Sequence, residues 1–474
     1  MKTFLMYLGI LGMGILFLVN GSAFAETLQD AVSHMLQTNP SIKEISYKRL
    51  ARDQEVIQAK SGYYPSLDLY SGYSFTERHE PTHYKVWPKR TVLGLRQNVF
   101  RFYATTFDVA RQNARVESAA YELQADSEDI ALQACRVYLD VLRNLELHDL
   151  ATENLTNHQQ IYDQMKLRSQ SGVDRKADLD QVMGRLALAE SNIAVTLANI
   201  VDAKTDYHRV IGRMPEDLIR PEPVDSIIPP SMEEAVEQAV RMRPRLKSAQ
   251  ADLEAREYQC KTAKSLRYPS LDLALDYSWE NDVAEPGLVE EFRATGSVSY
   301  NIFNGFADQA RVKETKYLVS EANEILRNTE RETIQSIRLS WEAFDVAKER
   351  VTHLEQYVKS TGLTVEAFGK QWMIGRRTMF DVLDTQAEYI NAKSDLVDAL
   401  YDKMYAEYRI LNGIGSLVHA LDLQWPDESH VVATKVYAPV PTMPEPKTET
   451  VTPVPEREDS SSQERFYKSI NPVW

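Results

Sequence analysis

The residues whose types most resemble a catalytic centre occupy positions 79–83, which read His-Glu-Pro-Thr-His. These letters match the H-E-x-x-H pattern, in which two histidines on one helix face bind zinc and the glutamate acts as general base of a hydrolase. Pro81 is incompatible with a helix interior, and the segment joins two predicted strands. We therefore interpret residues 79–83 as an outward-facing loop and predict no metal, no cofactor and no enzymatic activity.

Asp381 and Asp384 form a second candidate, because their i, i+3 spacing places both carboxylates on one helix face. Grouped carboxylates attract cations and repel anions, which is chemistry for ion selection rather than for a covalent step. The alternative is structural, since Thr378-x-x-Asp381 is a helix capping pattern and the helix dipole favours acids there. Both interpretations remain open for Asp381, whereas the electrostatic role is favoured for Asp384.

The elements that must position these residues occur twice. The sequence Tyr-Pro-Ser-Leu-Asp-Leu at 64–69 returns unchanged at 268–273, which is 204 residues later. Asn-Val-Phe at 98–100 faces Asn-Ile-Phe at 301–303, now 203 residues apart. Each half reads helix, strand, strand, helix, helix. The chain is therefore predicted to be a duplicated unit.

Composition changes along the chain predict five segments. The N-terminus carries a basic residue, an apolar stretch and Ala-Phe-Ala at 23–25, which is the pattern of a secretory signal peptide. The end of the chain is rich in Pro, Glu, Ser and Thr, a composition typical of disorder. The predicted segments are a signal peptide at 1–25, a first repeat at 26–213, a linker at 214–230, a second repeat at 231–424 and a disordered tail at 425–474.

Four strands are predicted where the hydrophobic period changes from 3.6 to 2, at about 65–77, 90–101, 269–280 and 291–303. About ten alternating residues with aromatics near one end are typical of a transmembrane β-strand, with lipid outside and water inside. The alternative is a hairpin packed on a soluble core. The predicted lipid face comprises Leu67, Leu69, Tyr73, Phe75, Leu271, Leu273, Tyr277 and Trp279, and the predicted lumen face comprises Asp68, Asp272 and Asp276.

Four strands cannot close a barrel, and open sheet edges in lipid would leave backbone groups unsatisfied. Closure therefore requires further copies of the chain, in a number that the sequence pattern leaves open. Two long helices, predicted at about 103–170 and 306–374, would each reach about 100 Å. Each is preceded by a helix, at 27–62 and 231–266, and followed by a returning helix at 175–211 or 377–412.

The net charge of −15 becomes −16 once Lys2 leaves with the signal peptide, which argues against nucleic acid as a partner. After the signal peptide the chain has no apolar run of about 18 residues, so no transmembrane helix is predicted. The two cysteines, Cys135 and Cys260, lie in different repeats and are predicted to be packed free thiols.

The arrangement resembles the TolC-like outer-membrane channel-tunnel family over nearly all of residues 27–424. The most specific stretch is residues 372–384, WMIGRRTMFDVLD, which looks like the second tip turn of that family. Asn-Ile-Phe-Asn-Gly at 301–305 looks like the family's junction between strand and tunnel helix, and resembles its type I secretion branch. The first copy, residues 98–102, has phenylalanine in place of that glycine.

The resemblance implies a mainly α fold with a small β portion, in which three chains share a twelve-stranded barrel in outer-membrane lipid and an α-helical tunnel in the periplasm. Its implied partners are two further copies in a homotrimer, a periplasmic adaptor protein, and an inner-membrane transporter of the ABC or RND class. It also implies that Trp372 and an Asp178–Arg377 pair latch the closed tip, where six acids from Asp381 and Asp384 surround the axis. The tips that meet the adaptor would contain Gly172, Val173, Ile374 and Gly375.

We therefore expect a passive export duct in the outer membrane, with a preference for type I protein secretion as its task. Export of small toxic compounds is the first alternative. A periplasmic coiled-coil scaffold without a pore is an alternative of another class, which the acids on one strand face and aromatics on the other disfavour. A hydrolase based on His79 is disfavoured by Pro81.

Overall fold

The computed structural model describes residues 25–79, 81, 83–172, 175–225, 227–281 and 287–430. The predicted signal peptide, apart from Ala25, lies outside the described residues, and so does the chain from residue 431 onward.

Helices dominate the described part of the chain, and the two halves repeat the same order of lengths. The helices of 67 residues, α3 and α7, each extend over about 100 Å at 1.5 Å per residue. The helices are α1 (Leu28–Thr38), α2 (Pro40–Ser61), α3 (Ala104–Gln170), α4 (Lys176–Ile211), α5 (Met232–Met242), α6 (Pro244–Ser265), α7 (Ala307–Met373), α8 (Met379–Ile414) and α9 (Leu417–Ala420).

The single helices predicted at 27–62 and 231–266 are wrong, because each is two helices broken before a proline. Pro40 and Pro244 occupy the first positions of α2 and α6, where the missing backbone N–H costs nothing. The residues before them, Asn39 and Arg243, have extended ψ angles of 125° and 121°. A residue before proline is driven out of the helical region by contact with the ring, so the preceding helix ends there.

Four strands form one antiparallel sheet in the order β1-β4-β5-β6, and β2 and β3 form a separate hairpin. The strand predicted at about 65–77 is therefore interrupted, since Ser74 and Phe75 separate β1 from β2. The strand predicted at about 90–101 is continuous and corresponds to β4. The last predicted strand ends at Ser299 rather than at 303. The strands are β1 (Ser66–Tyr73), β2 (Thr76–Arg78), β3 (Tyr84–Val86), β4 (Lys89–Phe100), β5 (Ser270–Asn281) and β6 (Leu288–Ser299).

The register of the sheet separates an apolar face from a polar face. One row across the four strands is Leu69, Leu93, Tyr277 and Phe292. The adjacent row, which points to the other face, is Asp68, Gly94, Asp276 and Arg293. The pairing of β4 with β5 joins the repeats, so both contribute to the same two faces.

The turns from strand to long helix have the same backbone conformation in both repeats, although only one contains glycine. Gly305 and Phe306 have φ angles of +63° and +66°, and Phe102 and Tyr103 have +46° and +62°. A left-handed conformation costs a residue with a side chain about 1–2 kcal/mol. Phe102 stacks on Tyr268 with ring centroids 4.3 Å apart, a contact that offsets part of this cost.

The largest core lies around the middle of α3, where α1, the ends of α4 and α8, and α9 converge. Tyr138, Tyr207 and Tyr408 are fully buried in it. The Tyr138 hydroxyl oxygen lies 2.7 Å from the backbone carbonyl oxygens of both Glu26 and Ile219 and can donate its one proton to either. This contact joins the residues before α1 to the predicted linker. Both Cys135 and Cys260 are buried free thiols.

The predicted disordered tail does not begin at residue 425, because residues 425–430 pack against α2 and α3. The Trp425 indole N–H donates to Glu128 at 2.9 Å, and the carbonyl of Ser429 accepts from Gln124 at 3.1 Å. A short 3-10 helix spans Asp427–Ser429. The predicted disorder is therefore wrong for residues 425–430, and the remainder of the predicted tail lies outside the described residues.

Candidate functional site

The turn after α7 is an exposed glycine cap. Gly375 has φ +74°, its N–H donates to the Trp372 carbonyl at 2.9 Å, and the Arg376 N–H donates to the Gln371 carbonyl at 2.9 Å. These two bonds form a Schellman motif, which ends the helix. Ile374 beside the glycine is exposed. The helix therefore reverses through a turn whose apolar side chain faces solvent.

The matching turn after α3 also contains a left-handed glycine. Gly172 has φ +72°, and its N–H donates to the carbonyl of Ser169 at 3.0 Å. Apart from chain neighbours and the backbone of the same helix, no heavy atom of the described residues lies within 4 Å of the position that a Cβ would take at either glycine, so both turns border open space there. Val173 lies outside the described residues.

A small hydrophobic cluster unites the two tips behind these turns. Met165 of α3, Val182 of α4 and Leu383 of α8 are buried in it, with Phe368 and Trp372 of α7 packed at its side. Because α3, α4, α7 and α8 all contribute side chains, the tips of the two repeats form one packed unit within the chain.

Asp381 is the capping residue of α8. Its carboxylate accepts from the Thr378 hydroxyl at 2.8 Å and from the Thr378 N–H at 3.0 Å, and its own N–H donates to the Thr378 hydroxyl at 3.2 Å. The hydrogen bond from the Thr378 side chain lowers the pKa of Asp381 below its ordinary value. Asp381 therefore forms the helix cap that the Thr378-x-x-Asp381 pattern predicts.

Asp384 points away from the cap and pairs with a residue that sequence reasoning missed. Its Oδ1 lies 2.6 Å from Nη2 of Arg185, and the aspartate side chain remains 68% exposed. Arg185 follows Gln181, the first-repeat counterpart of Asp384, by one helical turn. The signal that could have identified this pair is the alignment of the two repeats. It places Asp384 of the second repeat one helical turn from the position of Arg185 in the first.

The latch residues have other partners within one chain. Arg377 lies over the ring of Phe368 at 4.1 Å, and its Nε donates to Gln371 at 3.2 Å. Among the described residues, no ion pair joins Arg377 to Asp178. The guanidinium group of Arg168 lies over the ring of Trp372, with its carbon 5.5 Å from the ring centre. This cation–π contact joins α3 to α7.

The predicted lumen acids lie on the polar face of the sheet, where they are matched by donors. Asp272 accepts from Asn98 at 2.7 Å, and Asp276 lies 3.3 Å from Arg96. This face is therefore of mixed charge rather than purely acidic. Of the predicted lipid-face residues, Leu67, Leu69, Tyr73, Phe75, Leu271 and Leu273 are exposed, whereas Tyr277 and Trp279 are partly covered.

The described residues of the His-Glu-Pro-Thr-His segment, His79, Pro81 and His83, lie in the connection between β2 and β3 and not on a helix. Its two histidines nevertheless lie close together, with Glu77 as their neighbour. Glu80, the general base of the hydrolase pattern, lies outside the described residues. The helical geometry that a zinc hydrolase of this pattern requires is thus not formed.

One helix among the described residues, α4, is long and apolar enough by composition to cross a membrane, with a mean hydropathy of 1.2 over its best window. Only 17% of that window is buried within the chain. The helix therefore presents apolar side chains that the chain itself does not cover.

Comparison of the sequence with known protein families identifies the class of protein to which this fold belongs. The model of the outer membrane efflux protein family matches residues 31–213 and 235–416, which are the two repeats. The chain belongs to this family. The resemblance noted in the sequence, the outer-membrane localisation and the predicted fold class are confirmed.

Individual relatives agree with this assignment at low identity. The outer membrane efflux protein BepC of Brucella suis is 23% identical over 426 residues, covering 88% of this chain and 92% of the relative. The outer membrane protein TolC of Escherichia coli is 21% identical over 423 residues, covering 83% of each. The outer membrane channel CmeC of Campylobacter jejuni superposes with a TM-score of 0.74 at 15% identity, covering 82% of this chain and 86% of that structure.

Family membership establishes an outer-membrane efflux channel, a transport protein rather than an enzyme. Family membership therefore excludes the hydrolase and the pore-free scaffold as functions of this chain.

Proposed function

We propose that three copies of this chain form a passive duct, with a twelve-stranded barrel in the outer membrane and a helical tunnel in the periplasm. The observation that carries this proposal is the sheet: it has one apolar face, one polar face and two edges without partners. Within the described residues, β1 pairs only with β4, and β6 pairs only with β5. In lipid such edges must be paired, because no water is present to satisfy them.

Strand direction supports closure by identical copies. Because every neighbouring pair is antiparallel, β6 runs opposite to β1. A second copy placed beside β6 therefore offers its β1 in the antiparallel sense. The same junction can be repeated around a ring without a mismatch. Three copies contribute twelve strands, an even number as expected of bacterial outer-membrane barrels.

Exposed apolar residues on the long helices support association along the tunnel. On α7, Ile325, Leu339 and Val346 are exposed and are separated by multiples of seven residues. On α4, Leu188 and Val195 are exposed and are seven residues apart. Apolar residues with a seven-residue period are typical of helices that pack in a left-handed coil. A neighbouring copy would cover these stripes.

The tip is the proposed gate. Trp372, Asp381, Asp384, Asp178 and Arg377 lie in or beside the turns at this end of the helices. We infer that the pairs within one chain, Arg185–Asp384 and Arg168–Trp372, hold its two tips together, and that Asp178 and Arg377 pair between neighbouring chains. Opening of the duct then requires these contacts to be exchanged or broken.

The exposed tip turns are the proposed contact with a periplasmic adaptor. Gly172 and Gly375 border open space, and Ile374 presents an apolar side chain to solvent. Val173 is assigned to the same surface by its place in the sequence. An inner-membrane transporter of the ABC or RND class would supply the energy, since a passive duct performs no chemistry.

Protein secretion of type I is the proposed task, on the basis of the Asn-Ile-Phe-Asn-Gly junction at 301–305. Small-molecule efflux is the alternative, and the mixed charge of the polar sheet face is compatible with either. A strain lacking the chain separates them: the loss of specific proteins from the culture supernatant supports secretion, whereas increased sensitivity to toxic compounds supports efflux.

Channel recording in planar bilayers and native mass spectrometry test the duct itself. We expect a mass of three chains and a discrete conductance. A monomer without conductance would contradict the proposal.

A further inference from the structure

Metal-ligating side chains meet at the hairpin formed by β2 and β3, apart from the surfaces described above. Oε1 of Glu77 lies 3.6 Å from Nε2 of His79 and 3.4 Å from Nε2 of His83. The three ligand atoms all lie within 4.8 Å of one another. The two imidazole rings meet edge to face, with centroids 5.1 Å apart. Imidazole nitrogen and carboxylate oxygen are both ligands of zinc.

The register of the hairpin explains why these side chains converge. Glu77 on β2 lies opposite Lys85 on β3. Side chains two residues apart on a strand share a face, so His79 follows Glu77 and His83 precedes Lys85 on the same side. Continued by two residues on each side, the same register places His79 opposite His83. The two histidines are four residues apart, a spacing that places side chains on one face of a helix. Here the same spacing places them opposite each other across the turn of a hairpin.

Two of the three separations between ligand atoms are close to those around a tetrahedral ion. Zinc bonds of about 2.0–2.1 Å place neighbouring ligand atoms about 3.3 Å apart. The separations of 3.4 and 3.6 Å between Glu77 and the histidines are close to this value. Three protein ligands leave a fourth position for water or another ligand. The site is accessible, since the His79 and His83 side chains are 72% and 57% exposed.

Lys85 is the competitor of a metal at this place. Its Nζ lies 3.0 Å from the same Glu77 oxygen that faces both histidines. Binding of a divalent ion there would displace the ammonium group from that oxygen. The lysine side chain is half exposed and can move into solvent.

We propose that Glu77, His79 and His83 bind one divalent transition-metal ion of the zinc type, which clips the β2–β3 hairpin. β1 begins just after α2, and β4 ends just before α3, so the hairpin lies at the end of these strands away from the helices. If the membrane orientation proposed above holds, the site faces the cell exterior. The binding itself does not depend on that orientation.

Titration of the full-length protein in detergent with zinc chloride, followed calorimetrically, tests the proposal. We expect one zinc ion per chain, and a loss of affinity of at least about 10-fold for His79→Ala and for His83→Ala. Lys85→Thr should increase the affinity, because it removes the competing cation. His353→Ala is the matched control: His353 is also 72% exposed and lies 3.6 Å from Glu349, but belongs to no three-ligand group among the described residues.

Three results would overturn the proposal. The first is the absence of saturable zinc binding, and the second is zinc binding that is unchanged in the double variant His79→Ala/His83→Ala. The third is sulfur in the zinc X-ray absorption spectrum, since the proposed ligands contain only nitrogen and oxygen. Channel conductance of the same variants is measured in parallel, so that failure of this site is distinguished from failure of the duct.

Discussion

Arg185 of the first repeat and Asp384 of the second are joined by a 2.6 Å contact between Nη2 and Oδ1. The contact ties α4 to α8 at the tip, where Arg168 and Trp372 tie α3 to α7. An exposed pair of this kind contributes under about 1 kcal/mol. In the proposed trimer, three such pairs around one axis would together bias the proposed gate.

Asp384→Asn should raise the conductance of the resting channel, because it weakens the contact between α4 and α8. Single-channel recording in planar bilayers measures this change. Asp402→Asn is the control, because Asp402 lies on the same helix and forms a comparable exposed pair with Arg350 at 3.4 Å. Equal conductance in wild type and Asp384→Asn would remove Asp384 from the gate.

Arg377→Glu should also raise the resting conductance, since it places like charges at the proposed contact between chains. The combined variant Asp178→Arg/Arg377→Asp should return conductance toward the wild-type value, because the pair is restored with its charges exchanged. Failure of the exchange to rescue would show that Arg377 acts through Phe368 and Gln371 of its own chain.

Gly375→Ala should loosen the tip, because a left-handed conformation costs alanine about 1 kcal/mol more than glycine. Faster hydrogen exchange of the amides at 371–376 measures this loosening. Gly369→Ala is the matched control within α7: it is helical, has open space around it, and should stabilise the helix by about 0.5–1 kcal/mol. Slower or unchanged exchange in Gly375→Ala would contradict the assignment of the turn.

The stability of the core around Glu128 should fall as the pH rises. Burial raises the pKa of Glu128 to about 7, although hydrogen bonds from Trp425, Val418 and Leu417 offset part of this shift. The folded carboxyl therefore holds its proton more tightly than the unfolded one. Its stabilising contribution, on the order of 3 kcal/mol at most, is complete below the ordinary value of 4.5 and is lost as the pH passes through about 7.

Thermal unfolding of the detergent-solubilised protein between pH 4.5 and 7.5 tests this prediction. Glu128→Gln cannot titrate, so its melting temperature should depend less on pH than that of the wild type. Glu254→Gln, at an exposed position of α6, should retain the wild-type dependence. The same slope in Glu128→Gln as in wild type would assign the pH dependence to other groups.

The internal repeat and the hydrophobic periods were sufficient to predict the fold class. Each period depends on residues close together in the chain, and each occurs in both repeats. The two 67-residue helices begin and end within one residue of their predicted limits. The predictions failed where a single residue overrode a pattern. Pro40 divided the first helix of the first repeat, and Pro244 divided the first helix of the second.

The sequence by itself determined the alternation of residues on the strands, the limits of the two 67-residue helices and the cap at Thr378 and Asp381, because each depends on neighbours within a few positions. Only the tertiary structure decided the partners of the tip residues and the convergence of Glu77, His79 and His83. Arg185 and Asp384 are 199 residues apart, and their contact depends on how two hairpins pack side by side. The histidine pair likewise depends on a strand register, which sets which side chains face one another and which the letters alone do not contain.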